Sequence, residues 1–429
     1  MNQQLELFTS VDRTTRQKQC VQNWIKNKGV GSIVACTGFG KTRVALIGLK
    51  AILKKYPSFR ILVVVPTEAL QNQWLGLLDK WELGLNSDVQ IINTVVKRNW
   101  SCNILVIDEI HRIPTNTYSQ IFNKVRYKYI LGLTATFERL DGKEKLIEKY
   151  SPVVDTITDE EALANGWVSP FREYLVILDV DDIQTYKNYN KEFTEHFEFF
   201  NYDFNTAMSM VGPKGYLERI KMRDDRCSYN ASKEEKSAML KNITYHSMGF
   251  MRVIQARKKF INNHPKKIEV CKKIMENRKD SKIITFSNNT KMAEAIENGK
   301  NVYTGKTSKA KGRVLIEDFD KARSGTLHSC QKLNEGADLH GASVAIILGL
   351  DSSKTKAVQR RGRVIRFEVG KRAEIFNLVI NSTVELEWFK NSHTGNSYIT
   401  IDEKGLDQVL RGEEPAEYVK PVQRFSFRY

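Results

Sequence analysis

Two apolar patterns alternate along this chain. Unbroken runs such as Ile61 to Val65, Ile104 to Ile107 and Val344 to Leu350 have strand length and are apolar throughout, the mark of parallel strands buried on both faces. Between them, apolar residues recur every three to four positions, as in Cys20, Val21 and Trp24 or Val44, Ala45, Leu46 and Leu49, which sets one face of a helix against a core. Strands alternating with helices on both sides of a middle segment predict an α/β protein of two doubly wound parallel-sheet lobes. Thr158-Asp159-Glu160-Glu161 reads as a helix start and Gly166 as a stop, with Pro170 beyond, so the first lobe is expected over 1–169 and the second over 170–395. Residues 185–265 are too long for a connection between strands and are rich in aromatic, Met and basic side chains. They are expected to form a mostly helical insertion, broken near Gly212-Pro213 to Gly215. Residues 396–429 remain as a C-terminal extension.

Composition narrows the setting. The longest apolar runs fall far below the roughly 20 residues of a membrane helix, and the first residues, with Glu6 and Asp12, lack the basic start and apolar core of a signal peptide. The six cysteines are scattered without a C-x-x-C pair, so reduced thiols in a cytoplasmic protein are expected, with no membrane partner. A net charge of +17 favours a polyanionic partner. The excess is uneven: residues 213–283 hold 19 Lys and Arg against 8 Asp and Glu. That surplus suits either an electrostatic footprint for nucleic acid or a solvated helical face. Arg257, Lys258 and Lys259 are the candidate contacts there. Residues 396–429, ending in Arg424-Phe425-Ser426-Phe427-Arg428-Tyr429, suit packing on a lobe or stacking on bases.

The candidate chemistry starts at Cys36-Thr37-Gly38-Phe39-Gly40-Lys41-Thr42, which follows a β-friendly run and opens a helix. Gly38 and Gly40 let the backbone turn tightly enough for successive N–H groups and a helix N-terminus to surround a phosphate chain. Lys41 would reach the β and γ phosphates of ATP, and the Thr42 hydroxyl would ligate Mg²⁺. Ala35 stands where the strict motif has its first glycine. About 65 residues further, the run Ile104 to Ile107 ends in Asp108-Glu109-Ile110-His111. Carboxylates at the carboxyl end of such a strand lie where α/β sheets bind ligands. Asp108 would hold the metal shell and Glu109 the attacking water, while His111 is expected to couple this site to a neighbour.

Taken in order, these motifs resemble the superfamily 2 helicases, and within them the group around the DNA helicase XPB and the phage branch-migration helicase UvsW. The resemblance covers most of the chain and implies RecA-like lobes. It implies that Gln17 reads adenine, that Thr67 in Val63-Val64-Val65-Pro66-Thr67 touches the nucleic-acid backbone, and that Thr134 and Thr136 in Leu131-Gly132-Leu133-Thr134-Ala135-Thr136 link nucleotide to track. Phe137 stands where XPB-like proteins commonly have proline. In the second half it implies nucleic-acid contacts at Ser287 and Thr304, and nucleotide contacts at Gly336 and Asp338 within Lys332 to Asp338. Gln359-Arg360-Arg361-Gly362-Arg363-Val364-Ile365-Arg366 fits the pattern Q-x-x-G-R-x-x-R. Arg363 and Arg366, three apart, share a helix face and can both meet a γ-phosphate, with Gln359 beside them.

The expected function is therefore ATP-driven movement on DNA, by unwinding or branch migration of forked or branched DNA in replication, recombination or repair. RNA as the track, duplex translocation without strand separation, and a nucleic-acid-binding protein with a relic ATP site are the alternatives.

Overall fold

The structure, a computed structural model, describes residues 12–137, 142–212, 214–330, 339, 341–393, 397–416 and 418. The chain first lays down β1 (Val30–Ala35), β2 (Ile61–Val65), β3 (Ser87–Ile91), β4 (Trp100–Ser101), β5 (Ile104–Asp108), β6 (Val125–Arg126), β7 (Tyr129–Thr134) and β8 (Val153–Ile157). Six of these form one parallel sheet in the order β3-β2-β5-β7-β1-β8, and β4 pairs with β6 apart from it. Helices such as Lys41–Lys55 and Glu68–Lys80 cross between the strands. Every residue of β2 and β5 is buried, which explains their unbroken apolar runs.

A second sheet begins at β9 (Phe171–Leu178) and continues with β10 (Lys282–Ser287), β11 (Val302–Tyr303), β12 (Gly325–Cys330), β13 (Val344–Ile347), β14 (Ala373–Ile380) and β15 (Ile399–Ile401). Their order is β11-β12-β10-β13-β14-β9-β15, parallel throughout. The expected α/β class with two doubly wound lobes is thus what the chain adopts. Of the two settings expected for the C-terminal segment, its described residues take the packing one, and the second lobe therefore extends past residue 395. β15 adds to β9, and helix Glu403–Leu410 packs its Leu406 and Val409 into the same core. These residues belong to the second lobe because their alternate side chains are apolar and complete its edge. Residues 419–429 lie outside the described residues.

Beneath the second sheet, Lys267 Nζ donates to Glu385 Oε1 at 2.5 Å and to the Leu348 carbonyl at 2.8 Å, with both side chains fully buried. The Ile380 N–H bonds the other Glu385 oxygen at 3.2 Å, so each charge has partners.

Between β9 and β10, ahead of helix Pro265–Asn277, stand the insertion helices Ile183–Glu198, Phe204–Ser209, Gly215–Arg226 and Lys233–Asn263. They enclose their own core of Phe193, Phe197, Phe200, Met210, Ile243, Phe250 and Val253. The longest starts at a reciprocal cap, with Ser232 Oγ accepting from Glu235 N and Glu235 Oε2 from Ser232 N. One sequence expectation fails here. Arg257 is buried, its guanidinium 4.4 Å from the Phe193 ring centre and 5.6 Å from that of Tyr186. It braces the insertion through cation–π contacts rather than facing a polyanion. Its neighbours Lys258 and Lys259 are exposed.

Candidate functional site

In the first lobe, three adjacent strands deliver the site. β5, β7 and β1 lie side by side, so their carboxyl ends bring Asp108, Thr134 and the loop after Ala35 together. Gly38 and Gly40 hold φ of 90° and 97°, a left-handed backbone that a side chain would strain. Gly40 directly precedes helix Lys41–Lys55, so the loop runs into a helix N-terminus. Lys41 Nζ bonds the Ala35 carbonyl at 3.0 Å. On the other flank, helix Arg13–Lys26 presents Gln17, whose Nε2 donates to the Phe39 carbonyl at 2.8 Å. Gln17 Oε1 is buried and makes no hydrogen bond among the described residues. That is an orphaned acceptor, fit for an exocyclic amino group.

The paired carboxylates have unlike surroundings. Asp108 Oδ2 accepts from Trp74 Nε1 at 2.9 Å and Oδ1 from Glu109 N at 3.0 Å. Burial and the adjacent Glu109 charge push the Asp108 carboxyl up, against the Trp74 bond and Lys41. Burial also raises Glu109, but the His111 hydrogen bond and the charges of His111, Lys41 and Arg112 outweigh it and hold Glu109 below the usual carboxylate range. Opposite shifts in neighbouring acids separate their chemical roles. Glu109 also sits in a left-handed backbone, φ 53°, which turns its side chain out of the strand line.

A chain of polar contacts leaves this pair. His111 Nδ1 lies 3.2 Å from Glu109 Oε2 and 3.0 Å from Thr134 Oγ1. Thr134 Oγ1 donates to the Thr136 carbonyl at 2.6 Å, and Thr136 Oγ1 meets Thr355 Oγ1 at 3.0 Å. Thr355 belongs to helix Lys354–Val364 of the second lobe, so the chain crosses between lobes.

That same helix forms the opposite wall together with Arg366, which lies two residues past its end at Val364 and bridges Val168. Arg363 and Arg366 therefore reach the cavity without sharing the helix face expected of them. A cavity of about 740 Å³ is lined from the first lobe by Thr37, Gly38, Gly40, Lys41, Thr42, Asp108 and Glu109, and from the second by Gln359, Gly362, Arg363 and Arg366. Gly362 packs on Thr37 so closely that a methyl there would overlap the threonine side chain. Burial lowers the Arg363 and Arg366 guanidinium pKa values, Arg363 being partly offset by Glu109. The oxygen donors Thr42 and Asp108 share this cavity, a hard-ligand set that fits Mg²⁺. No cluster of three metal-ligating His, Cys, Asp or Glu occurs among the described residues.

The expected nucleic-acid contacts are placed differently. Thr67 caps helix Glu68–Lys80, its Oγ1 accepting from Leu70 N at 3.3 Å, and is half-buried. Ser287 and Thr304 are buried. Ser287 Oγ donates to the Asn289 and Ser329 carbonyls, and Thr304 Oγ1 accepts from Lys306 N. As phosphate contacts these two hydroxyls are therefore corrected: they close their own loops. Gly336 and Asp338 lie outside the described residues.

Several residues at the site were given no role there from the sequence. Trp74 orders Asp108, and Thr355 continues the threonine chain. Arg13 Nε donates to the Phe39 carbonyl at 2.9 Å and its Nη2 to the Gly38 carbonyl. Only Arg13 was findable, lying four residues before Gln17 and so on the same helix face.

Residues 266–368 match the family described as Helicase conserved C-terminal domain, and residues 11–99 and 93–139 match Type III restriction enzyme, res subunit. The chain is 28% identical over 393 residues to DNA 3'-5' translocase XPB2 of Sulfurisphaera tokodaii, covering 86% of this chain and 82% of that protein. It is 23% identical over 426 residues to Putative helicase 22 of Sulfolobus islandicus filamentous virus, covering 88% and 67%. Among solved structures, S. cerevisiae Dbp5 bound to RNA and ADP BeF3 is similar in fold, with a TM-score of 0.56 at 15% identity over 92% of this chain and 91% of that one. No described helix is long and apolar enough to cross a membrane.

Proposed function

We propose, from the premise that this chain is a superfamily 2 helicase that hydrolyses ATP, that its track is DNA and that it remodels forked or branched DNA. The observation that carries the ATP-driven part of the reading is the cavity in which Lys41, Asp108 and Glu109 face Arg363 and Arg366 across the lobe junction. The 28% identity to a protein named a DNA translocase supports DNA. The motif likeness to the phage branch-migration helicase UvsW supports unwinding or branch migration in replication, recombination or repair.

In this reading Gln17 accepts from the adenine amino group through its orphaned Oε1, while Thr37, Gly38 and Gly40 surround the phosphates. Lys41 exchanges the Ala35 carbonyl for the β and γ phosphates. Thr42 and Asp108 would hold Mg²⁺, which when bound neutralises phosphate charge. Glu109, kept ionised by His111 and Lys41, orients the attacking water and accepts its proton. Arg363 and Arg366, with Gln359 beside them, meet the charge that spreads over the γ-phosphoryl oxygens. His111, Thr134, Thr136 and Thr355 carry the occupancy of that site into the second lobe. Gly336 and Asp338 are proposed nucleotide contacts from the same lobe. The track is met by Thr67 on the first lobe and by the exposed Lys258 and Lys259 on the insertion.

ATP turnover measured with forked DNA, four-way junctions, tailed duplexes, blunt duplex and RNA tests this. Forked or four-way DNA is expected to stimulate most, and Arg363→Ala to lower turnover by about 10³-fold. Stimulation by RNA alone would overturn the DNA track; turnover on blunt duplex alone without strand release would replace unwinding with translocation.

A further inference from the structure

We infer that Arg361 is a hinge pin: it fixes the arginine-bearing helix to both sides of the connection between the lobes and so positions Arg363 and Arg366 for ATP hydrolysis. Arg361 occupies a variable place in Q-x-x-G-R-x-x-R, and no role follows for it from the motif. Two residues before Arg363 on a helix, it points about 200° away, out of the phosphate cavity and into the lobe junction.

There it is buried, and its partners straddle the crossing. Nη1 donates to Asp159 Oδ2 at 2.9 Å, and Nε lies 3.6 Å from Glu173 Oε2. Asp159 opens helix Asp159–Ala164, which follows the last strand of the first sheet, whereas Glu173 lies in β9 of the second sheet. The chain passes from one lobe to the other between these two carboxylates. Glu173 is itself anchored, with Oε1 3.0 Å from His393 Nε2 and 3.1 Å from Asn377 Nδ2. Asp159 is close enough to the phosphate loop for the charge of Lys41 to act on it. A side chain held at both ends of a linker constrains the arc of its helix, and the next residue, Gly362, rests on Thr37 of that loop.

The pin is only half engaged. Arg361 Nε and Nη2 and Glu173 Oε2 are buried without a hydrogen bond among the described residues. Buried polar atoms that make no hydrogen bond are costly, so a small shift within the second lobe that brings Nε from 3.6 Å onto Glu173 gains a charge-assisted bond. That bond ties the helix to β9 of its own lobe, while the Asp159 bond ties it to the end of the first lobe, and together they fix where Arg363 and Arg366 stand. Arg361 acts through those arginines and is a positioning residue.

The test is a double-mutant cycle on the full chain, reading kcat and KM for ATP without nucleic acid, so that the outcome is independent of the DNA reading. Arg361→Met is expected to lower kcat by about 10- to 100-fold, the scale of a small misplacement of reacting groups, with KM for ATP within about twofold. Arg361→Lys, which keeps the cation but spans one carboxylate, is expected to recover part of the loss. Asp159→Asn, at a partly exposed position, should lower kcat on its own, and the double variant should be no slower than Arg361→Met. Parental kcat in both single variants overturns the pin. So do strictly multiplicative losses, or a KM that rises as kcat falls.

Discussion

At the scale of single residues, the buried pair Lys267 and Glu385 is the most exposed to mutation. Lys267→Met leaves the Glu385 carboxyl fully enclosed without its cation, and is expected to cost about 3–5 kcal/mol of stability. The double change Lys267→Met with Glu385→Leu should recover most of it, because no charge is then left alone. Denaturant unfolding of the two variants separates them; equal losses would mean that Glu385 finds another partner. Candidate residues that share the cavity were legible in the sequence where neighbours along the chain are also neighbours in space. Lys41 with Thr42, Asp108 with Glu109, and Arg363 with Arg366 are of that kind. Arg361 was not legible, because Asp159 and Glu173 stand some 200 positions away and only the fold brings them to it. Arg257 misled for another reason: a guanidinium over aromatic rings and one over a phosphate call for the same basic residue.

At the scale of elements, the insertion illustrates how titration reaches packing. His196 on helix Ile183–Glu198 and His246 on helix Lys233–Asn263 approach Nδ1 to Nδ1 at 3.2 Å. Their neighbours are Glu192 and Glu195 on the first helix, Arg226 from helix Gly215–Arg226, and Tyr245 and Arg252 on the long one. Burial lowers both imidazoles, and for His246 the His196 and Arg226 charges lower it further. A histidine whose folded value is depressed binds fewer protons folded than unfolded. The stability it contributes is present above the unfolded value of 6.5 and is lost as pH falls through the folded value. Amide exchange across Ile183–Asn263 is therefore expected to speed up between pH 7 and pH 5 more than across β10 or β13. A His246→Gln variant should show a flatter profile; an unaltered one would remove the histidine pair from the account. The helical nature of this region was readable from its length and side chains. That β15 would pair with β9 was not, since a three-residue strand carries too little periodicity to identify.

At the scale of the whole molecule, Gly362 rests against Thr37 where the lobes meet. Gly362→Ala places a methyl where the threonine side chain lies, so the lobes must part. Fluorophores at the exposed Leu85 of the first lobe and Val314 of the second should then show lower energy transfer, with ATP turnover reduced by about 10²-fold. Unchanged transfer and turnover would mean that Thr37 simply swings aside. Sheet order carries one more consequence. β9 pairs along its full length with β14, from Phe171 against Ala373 to Leu178 against Ile380, with the whole insertion and most of the second sheet between them in the chain. At roughly 5–20 residues per second of synthesis, β9 leaves the ribosome on the order of 10–40 s before its partner exists. In that interval the insertion can fold on its own aromatic core while the lobe that carries it cannot. The stretch Tyr174 to Leu178, apolar and unpaired, is then the segment most in need of a chaperone.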